Sequence, residues 1–181
     1  MNDTTAAAPE GDAVRQHTLA VIEAARRTLL AHDMSAFADL WAPDGTLEFP
    51  FAAPGAPRRL SGREEVRAYL ADYTDHIDLR ALPEFRVHPT LDPRTAVVEM
   101  RAEGFVVPTG RPYELRYVAV VTVEADGISS YRDYWSPLAA AEALGDALPG
   151  RGVGAGEVGE GVGDGDRHGA GAGDRQGAQA R

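Results

Sequence analysis

Cysteine and lysine are both missing from this 181-residue chain, and each absence closes off a class of chemistry. Without a thiol there is no disulfide framework, no thiolate nucleophile and no cysteine-based metal site. Without a lysine amine there is neither Schiff-base catalysis nor a phosphate-loop lysine. Basic residues are scarce as well: 18 arginines face 28 acidic residues, the net charge is −10, and the arginines do not gather into a stripe. A nucleic-acid backbone is therefore not an expected partner. No apolar run reaches the length of a bilayer, and no basic segment leads into an apolar one near the N-terminus, so we expect a cytoplasmic protein with no membrane partner. His17, His32, His88 and His168 are scattered without ligand spacing, which gives no expectation of a metal or other cofactor.

What is present bounds one folded unit. Residues 1–12 are small and polar, and residues 145–181 form a Gly/Asp/Ala/Arg tract without aromatics. We read 1–12 as a disordered N-terminus, 13–144 as the domain and 145–181 as a disordered Gly-rich tail. Gly154 to Gly159 spells a dinucleotide-binding fingerprint, but no strand precedes it and no apolar helix follows, so it reads as accidental.

Within the domain, Asp12 is placed to cap a helix running to His32, with Val14, Leu19, Val21, Ile22, Leu29 and Leu30 at helical spacing. Asp33 opens a second, short helix carrying Met34, Phe37, Leu40 and Trp41, ended by Pro43-Asp44-Gly45. Thr46–Phe51 then alternates as a strand, with Leu47, Phe49 and Phe51 on one face and Thr46 and Glu48 on the other. Ser61, with Glu64 three residues on, predicts a capping box for a third helix. That helix buries Val66, Tyr69, Leu70, Tyr73 and Ile77 along one stripe and carries His76 near its end.

Pro83 introduces a four-strand meander cut by turns at Leu91–Arg94, Pro108–Arg111 and Ala125–Gly127. One strand sets Val97, Glu99, Arg101, Glu103 and Phe105 against Ala96, Val98, Met100, Ala102 and Gly104. The next sets Tyr113, Leu115 and Tyr117 against Glu114, Arg116, Val118 and Val120. Neither face is wholly polar, which predicts a curved sheet whose concave side closes on the helices around a pocket. A second copy of the chain would cover part of the convex side, with Val98, Met100, Val118 and Val120 in a homodimer contact. On the last strand Asp133 shares a face with Tyr131 and Trp135. A carboxylate set among rings is desolvated, which raises its pKa and makes it a candidate general acid/base.

The order of elements and particular strings carry a resemblance. Trp41-Ala42-Pro43-Asp44-Gly45-Thr46-Leu47-Glu48-Phe49-Pro50-Phe51 followed by Ser61-Gly62-Arg63-Glu64-Glu65-Val66 resembles SnoaL-like proteins, the polyketide-cyclase branch of the nuclear transport factor 2-like superfamily. Tyr131-Arg132-Asp133-Tyr134-Trp135-Ser136-Pro137-Leu138 is similar to the closing motif of the phenazine-biosynthesis A/B proteins and of limonene-type epoxide hydrolases. The resemblance implies an α+β fold, a cone-shaped curved antiparallel sheet packed on three helices in the manner of a cystatin-like α+β barrel. It also implies a catalytic carboxylate at Asp133. Matched to the epoxide hydrolases, an Arg-x-acid pair falls on Arg101 and Glu103, and the water-holding position falls on Glu48.

The residues themselves leave open which of Glu48, Glu99 and Glu103 joins Asp133. Tyr69, Tyr73, His76, Leu115, Tyr117, Tyr131 and Trp135 are the candidate substrate-binding residues. The expected function is a cofactor-independent enzyme of specialised metabolism that cyclises or isomerises a small, largely apolar, carbonyl-containing substrate by general acid/base catalysis. The alternatives are an epoxide hydrolase or epoxide-opening cyclase using Arg101, Glu103 and Asp133, and a non-catalytic small-molecule binding or accessory protein.

Overall fold

The computed structural model describes residues 7–144. The expectations for residues 1–6 and for the Gly-rich tail with its fingerprint string lie outside them. Helix α1 (Ala7–Leu30) begins ahead of Asp12 and is followed by a turn at His32, which adopts φ 59° and sets its Nε2 2.6 Å from the Leu79 carbonyl. Asp33 then caps α2 (Met34–Ala38), its carboxylate accepting a hydrogen bond from the Ala36 N–H at 2.9 Å.

The chain turns extended earlier than its apolar spacing suggests. Trp41 opens strand β1 (Trp41–Glu48) instead of closing α2, and Pro43 sits in a register shift of that strand, where a residue without an N–H is tolerated. After β2 (Arg59–Ser61) comes α3 (Arg63–Leu70). Its N-cap is Gly62 at φ 90°, a left-handed conformation that a side chain would strain. The expected capping box is displaced by one residue, since Glu65, not Glu64, accepts from the Ser61 N–H at 2.7 Å. The Gly62 N–H reaches the Gly45 carbonyl at 2.8 Å and Arg63 Nε reaches the Trp41 carbonyl at 2.6 Å. The Ser-Gly-Arg string thus pins the start of α3 to the irregular part of β1.

The predicted third helix is broken. It stops at Ala71, restarts as the single turn α4 (Tyr73–His76), and passes directly into β3 (Ile77–Pro89), so Ile77 is a strand residue. β3 absorbs Pro83 in a further register shift. The meander continues through β4 (Thr95–Val106), β5 (Arg111–Glu124) and β6 (Gly127–Trp135), and α5 (Pro137–Leu144) closes the described chain against β5. None of these helices is long and apolar enough to cross a membrane.

The expected barrel of antiparallel strands on three helices needs correction. The six strands form one sheet in the order β2-β1-β6-β5-β4-β3, and β2 and β3 are its free edges. The sheet is open, not closed into a barrel or cone, and it is mixed, because β1 runs parallel to β6. More than three helical segments accompany it. The helices bury two apolar clusters against one face. The larger gathers Ile22, Phe37, Trp41, Leu47, Val66 and Val121; the smaller gathers Ile77, Leu79, Val106, Leu115 and Ala140. Leu29, Tyr73, Met100 and Trp135 pack against both, and the space between the clusters is the site.

Candidate active site in the hollow between sheet and helices

β6 lies in the interior of the sheet, between β1 and β5. Its register sets Tyr131 beside Leu47 and Asp133 opposite Ala119, whose single methyl leaves room above the carboxylate. Because alternate residues project to opposite faces, Tyr131, Asp133 and Trp135 all enter the same hollow, as their spacing predicts. The cavity holds about 150 Å³. Its walls come from every layer: Leu29 of α1, Trp41, Leu47 and Phe49 of the β1 region, Tyr69 and Tyr73 of α3 and α4, Met100 and Ala102 of β4, Leu115 and Tyr117 of β5.

The rings form two connected series. Phe37 meets Trp41 edge-on at 5.1 Å and Trp41 meets Tyr131 at 5.6 Å. Phe49 lies 5.3 Å from Tyr69 and 5.4 Å from Trp135, which lies 6.4 Å from Tyr117. Such contacts fix the walls beyond what burial alone contributes.

Asp133 is the only charged residue on these walls among the described residues. Its Oδ1 is buried and has no hydrogen-bond partner. Burial with nothing to compensate the charge pushes the carboxyl pKa up to about 7. The surrounding phenols shift upward too, so they remain hydroxyl donors at neutral pH. Tyr69 is raised to about 12 by burial and then by the Asp133 charge. Tyr73, Tyr117 and Tyr131 are raised well above the ordinary phenol value by burial. The Tyr73 and Tyr113 hydroxyls are hydrogen-bonded to each other.

The structure brings Asp133 together with Tyr69, Tyr73, Leu115, Tyr117, Tyr131 and Trp135. His76 is not on the cavity wall; its Nε2 lies 3.5 Å from the Asp72 carboxylate at the end of α4. Arg101, Glu103 and Glu48 project from the opposite face of the sheet. Arg101 lies between the inward-facing Met100 and Ala102, and its guanidinium pairs with Glu84 at 3.1 Å, with Glu114 at 2.9 Å and with Glu103. Glu48, between Leu47 and Phe49, pairs with Arg59 at 2.6 Å. The arrangement required for epoxide opening, with Arg101, Glu103 and Asp133 converging on one point, is therefore absent. Glu99 is outside as well, 3.1 Å from His88. Two residues assigned to a homodimer contact also change sides: Val98 is core and Met100 lines the hollow, while Val118 and Val120 remain on the outer face.

Sequence reasoning passed over Trp41, Leu47, Phe49, Met100, Ala102, Leu79 and Leu82 as walls of the site. For β4 the signal was legible: the Ala96, Val98, Met100, Ala102 set is wholly apolar, whereas its alternate carries three charges. Among the described residues no cluster of three His, Asp or Glu side chains is placed to hold a metal.

Comparison with known proteins agrees with this architecture. The profile of the SnoaL-like domain family matches residues 22–140. The uncharacterized protein YesE of Bacillus subtilis is 35% identical over 120 residues, covering 66% of this chain and 82% of that protein. An uncharacterized PhzA/B-like protein of Pseudomonas aeruginosa, PA3332, is 34% identical over 119 residues, covering 66% and 84%. Among solved structures, a Bacillus subtilis protein provisionally named an isomerase superimposes with a TM-score of 0.69 at 31% identity, covering 73% of this chain and 95% of that one. A phenazine biosynthesis-related protein of Pseudomonas aeruginosa shares the fold, with a TM-score of 0.60 at 16% identity over 80% and 88% of the two chains. The chain belongs to the SnoaL-like domain family.

Proposed function

We propose that the chain is an enzyme that moves a proton on a small, largely apolar carbonyl compound, isomerising or cyclising it, with Asp133 as the general acid/base. The observation that carries this reading is the Asp133 carboxylate itself: buried, with an unpartnered Oδ1, at an apolar cavity wall. A carboxyl with a pKa of about 7 is present in both protonation states at neutral pH. The ionised form accepts a proton from the carbon beside a carbonyl, and the resulting acid returns it at a second atom. While the proton is on Asp133, negative charge rests on the carbonyl oxygen. Among the described residues no arginine reaches the cavity walls to meet it, so that task falls to the tyrosine hydroxyls, which stay protonated. The apolar walls orient the substrate and keep bulk water from competing for the proton.

A test that does not require the natural substrate is hydrogen exchange at carbon. Cyclic and aryl ketones are incubated with the protein in D2O, and loss of the α-proton signal is followed by NMR. Asp133→Asn is expected to lower the exchange rate by about 10²- to 10⁴-fold, the usual range for a lost general base. Equal exchange by the two proteins would remove Asp133 from the mechanism.

A further inference from the structure

The charge inventory of the hollow restricts what can enter it. Asp133 is the single charged wall residue among the described residues. The groups facing it from the packed elements are Tyr69 of α3, Tyr73 of α4, Tyr117 of β5 and Tyr131 on its own strand. β1 and the residue after it, β4, β3 and α1 present only carbon, sulfur and indole there, through Trp41, Leu47, Phe49, Met100, Leu79 and Leu29. The arginines of the neighbouring strand segments, Arg101 and Arg116, are on the outer face, paired with Glu84.

Three kinds of ligand of similar size can be weighed against this surface. A carboxylate or phosphate would leave its hydration shell for a cavity whose described walls offer no cation and already hold an acid, an uncompensated cost. An ammonium ion would find a counter-charge, but forming that pair strips water from two ions in an apolar site, and such pairs do little better than break even. A neutral molecule with an acceptor oxygen meets the protonated carboxyl in an ordinary hydrogen bond, gives Asp133 Oδ1 the partner it lacks, and buries its carbon against aromatic rings. Size narrows the class further. An apolar cavity of about 150 Å³ accommodates a benzene-sized guest.

We infer that this pocket selects an uncharged single-ring ligand presenting one hydrogen-bond-accepting oxygen to Asp133, and rejects carboxylate and ammonium ligands of the same size. The inference rests on the reading of Asp133 as the site's acid/base and specifies which substrates that site can take. It has a linkage consequence. An acceptor ligand binds the protonated carboxyl, whose proton is lost as pH rises through about 7, so affinity is highest in acid and falls above neutrality.

Acetophenone, benzoate and benzylammonium form a size-matched test series, titrated against the full chain with tryptophan fluorescence or ligand-observed NMR. At pH 6 acetophenone is expected to bind at least about tenfold more tightly than either ion. Its affinity is expected to fall about tenfold between pH 6 and pH 8. In Asp133→Asn, which has no carboxyl to titrate, the pH dependence of acetophenone binding should disappear. Benzoate or benzylammonium matching acetophenone in the wild type overturns the inference, as does binding by none of the three, or acetophenone affinity that rises with pH. The wild-type series decides the matter even if the variant fails to fold. Because this titration reads binding alone, it separates from the exchange experiment: pH-linked acetophenone binding without α-proton exchange leaves ligand selection standing and removes catalysis.

Discussion

A buried carboxylate that is useful to a substrate is a burden to the fold. The Asp133 pKa is raised from 3.8 to about 7, so between those values the native state holds a proton that the unfolded chain has released. Native stability contributed through this group is therefore complete below about pH 4 and declines as pH rises to 7, by up to about 4 kcal/mol at roughly 1.4 kcal/mol per unit. Asp133→Asn lacks the titration. The variant should match the wild type in urea denaturation at pH 4 and exceed it at pH 8; a constant difference across that range would mean that Asp133 does not titrate as the geometry requires. The face of Asp133 was legible because its neighbours two residues away are aromatic and a strand alternates. The outward placement of Arg101, Glu103 and Glu48 was equally open to alternation, since each sits between apolar residues. Matching them to a relative's motif set that simpler signal aside.

At the scale of elements, strand–strand approach is the sharpest constraint beside the site. Gly104 of β4 faces Leu79 on one side and Tyr113 on the other, and a Cβ there would lie 2.1 Å from the Asp78 carbonyl oxygen and 3.0 Å from the Tyr113 ring. Gly104→Ala must push β3 from β4 or displace Tyr113, which is hydrogen-bonded to Tyr73 on the cavity wall. A loss of about 1–3 kcal/mol is expected, measured as a lowered urea midpoint; an unchanged midpoint would show that the strands yield freely. Element order could be read from the sequence; element boundaries could not. Trp41 has the spacing of an α2 residue, yet Pro43 and the parallel pairing with β6 draw it into β1. Tyr69, Tyr73 and Ile77 keep helical spacing across a point where the chain leaves the helix, because β4 offers Ile77 a partner at Val106. Long-range pairing overrides local periodicity in both places.

Across the whole molecule, the outer face of the sheet bears a belt of ion pairs, Arg101 and Arg116 with Glu84, Glu103 and Glu114. Beside it lie exposed Val118, opposite Tyr134 in the register, and Phe51, whose ring meets Tyr134 edge-on at 5.5 Å. We propose that a second copy of the chain covers this apolar patch. Sedimentation analysis should then report a dimer for the wild type and a shift toward monomer for Val118→Glu, with acetophenone binding retained. A wild-type monomer at every concentration would dismiss the contact. Neither the openness of the sheet nor its parallel β1–β6 pair was legible, since both depend on which strands meet at a distance in sequence, and resemblance to a closed architecture pointed elsewhere.

The division of β6 between two faces has an evolutionary consequence. Arg132 and Tyr134 serve the exterior while Tyr131, Asp133 and Trp135 serve the interior. Deleting or inserting one residue upstream in the strand would exchange these sets, exporting the carboxylate and importing a guanidinium. The strand thus tolerates substitution at its outward positions but no change of length ahead of Asp133.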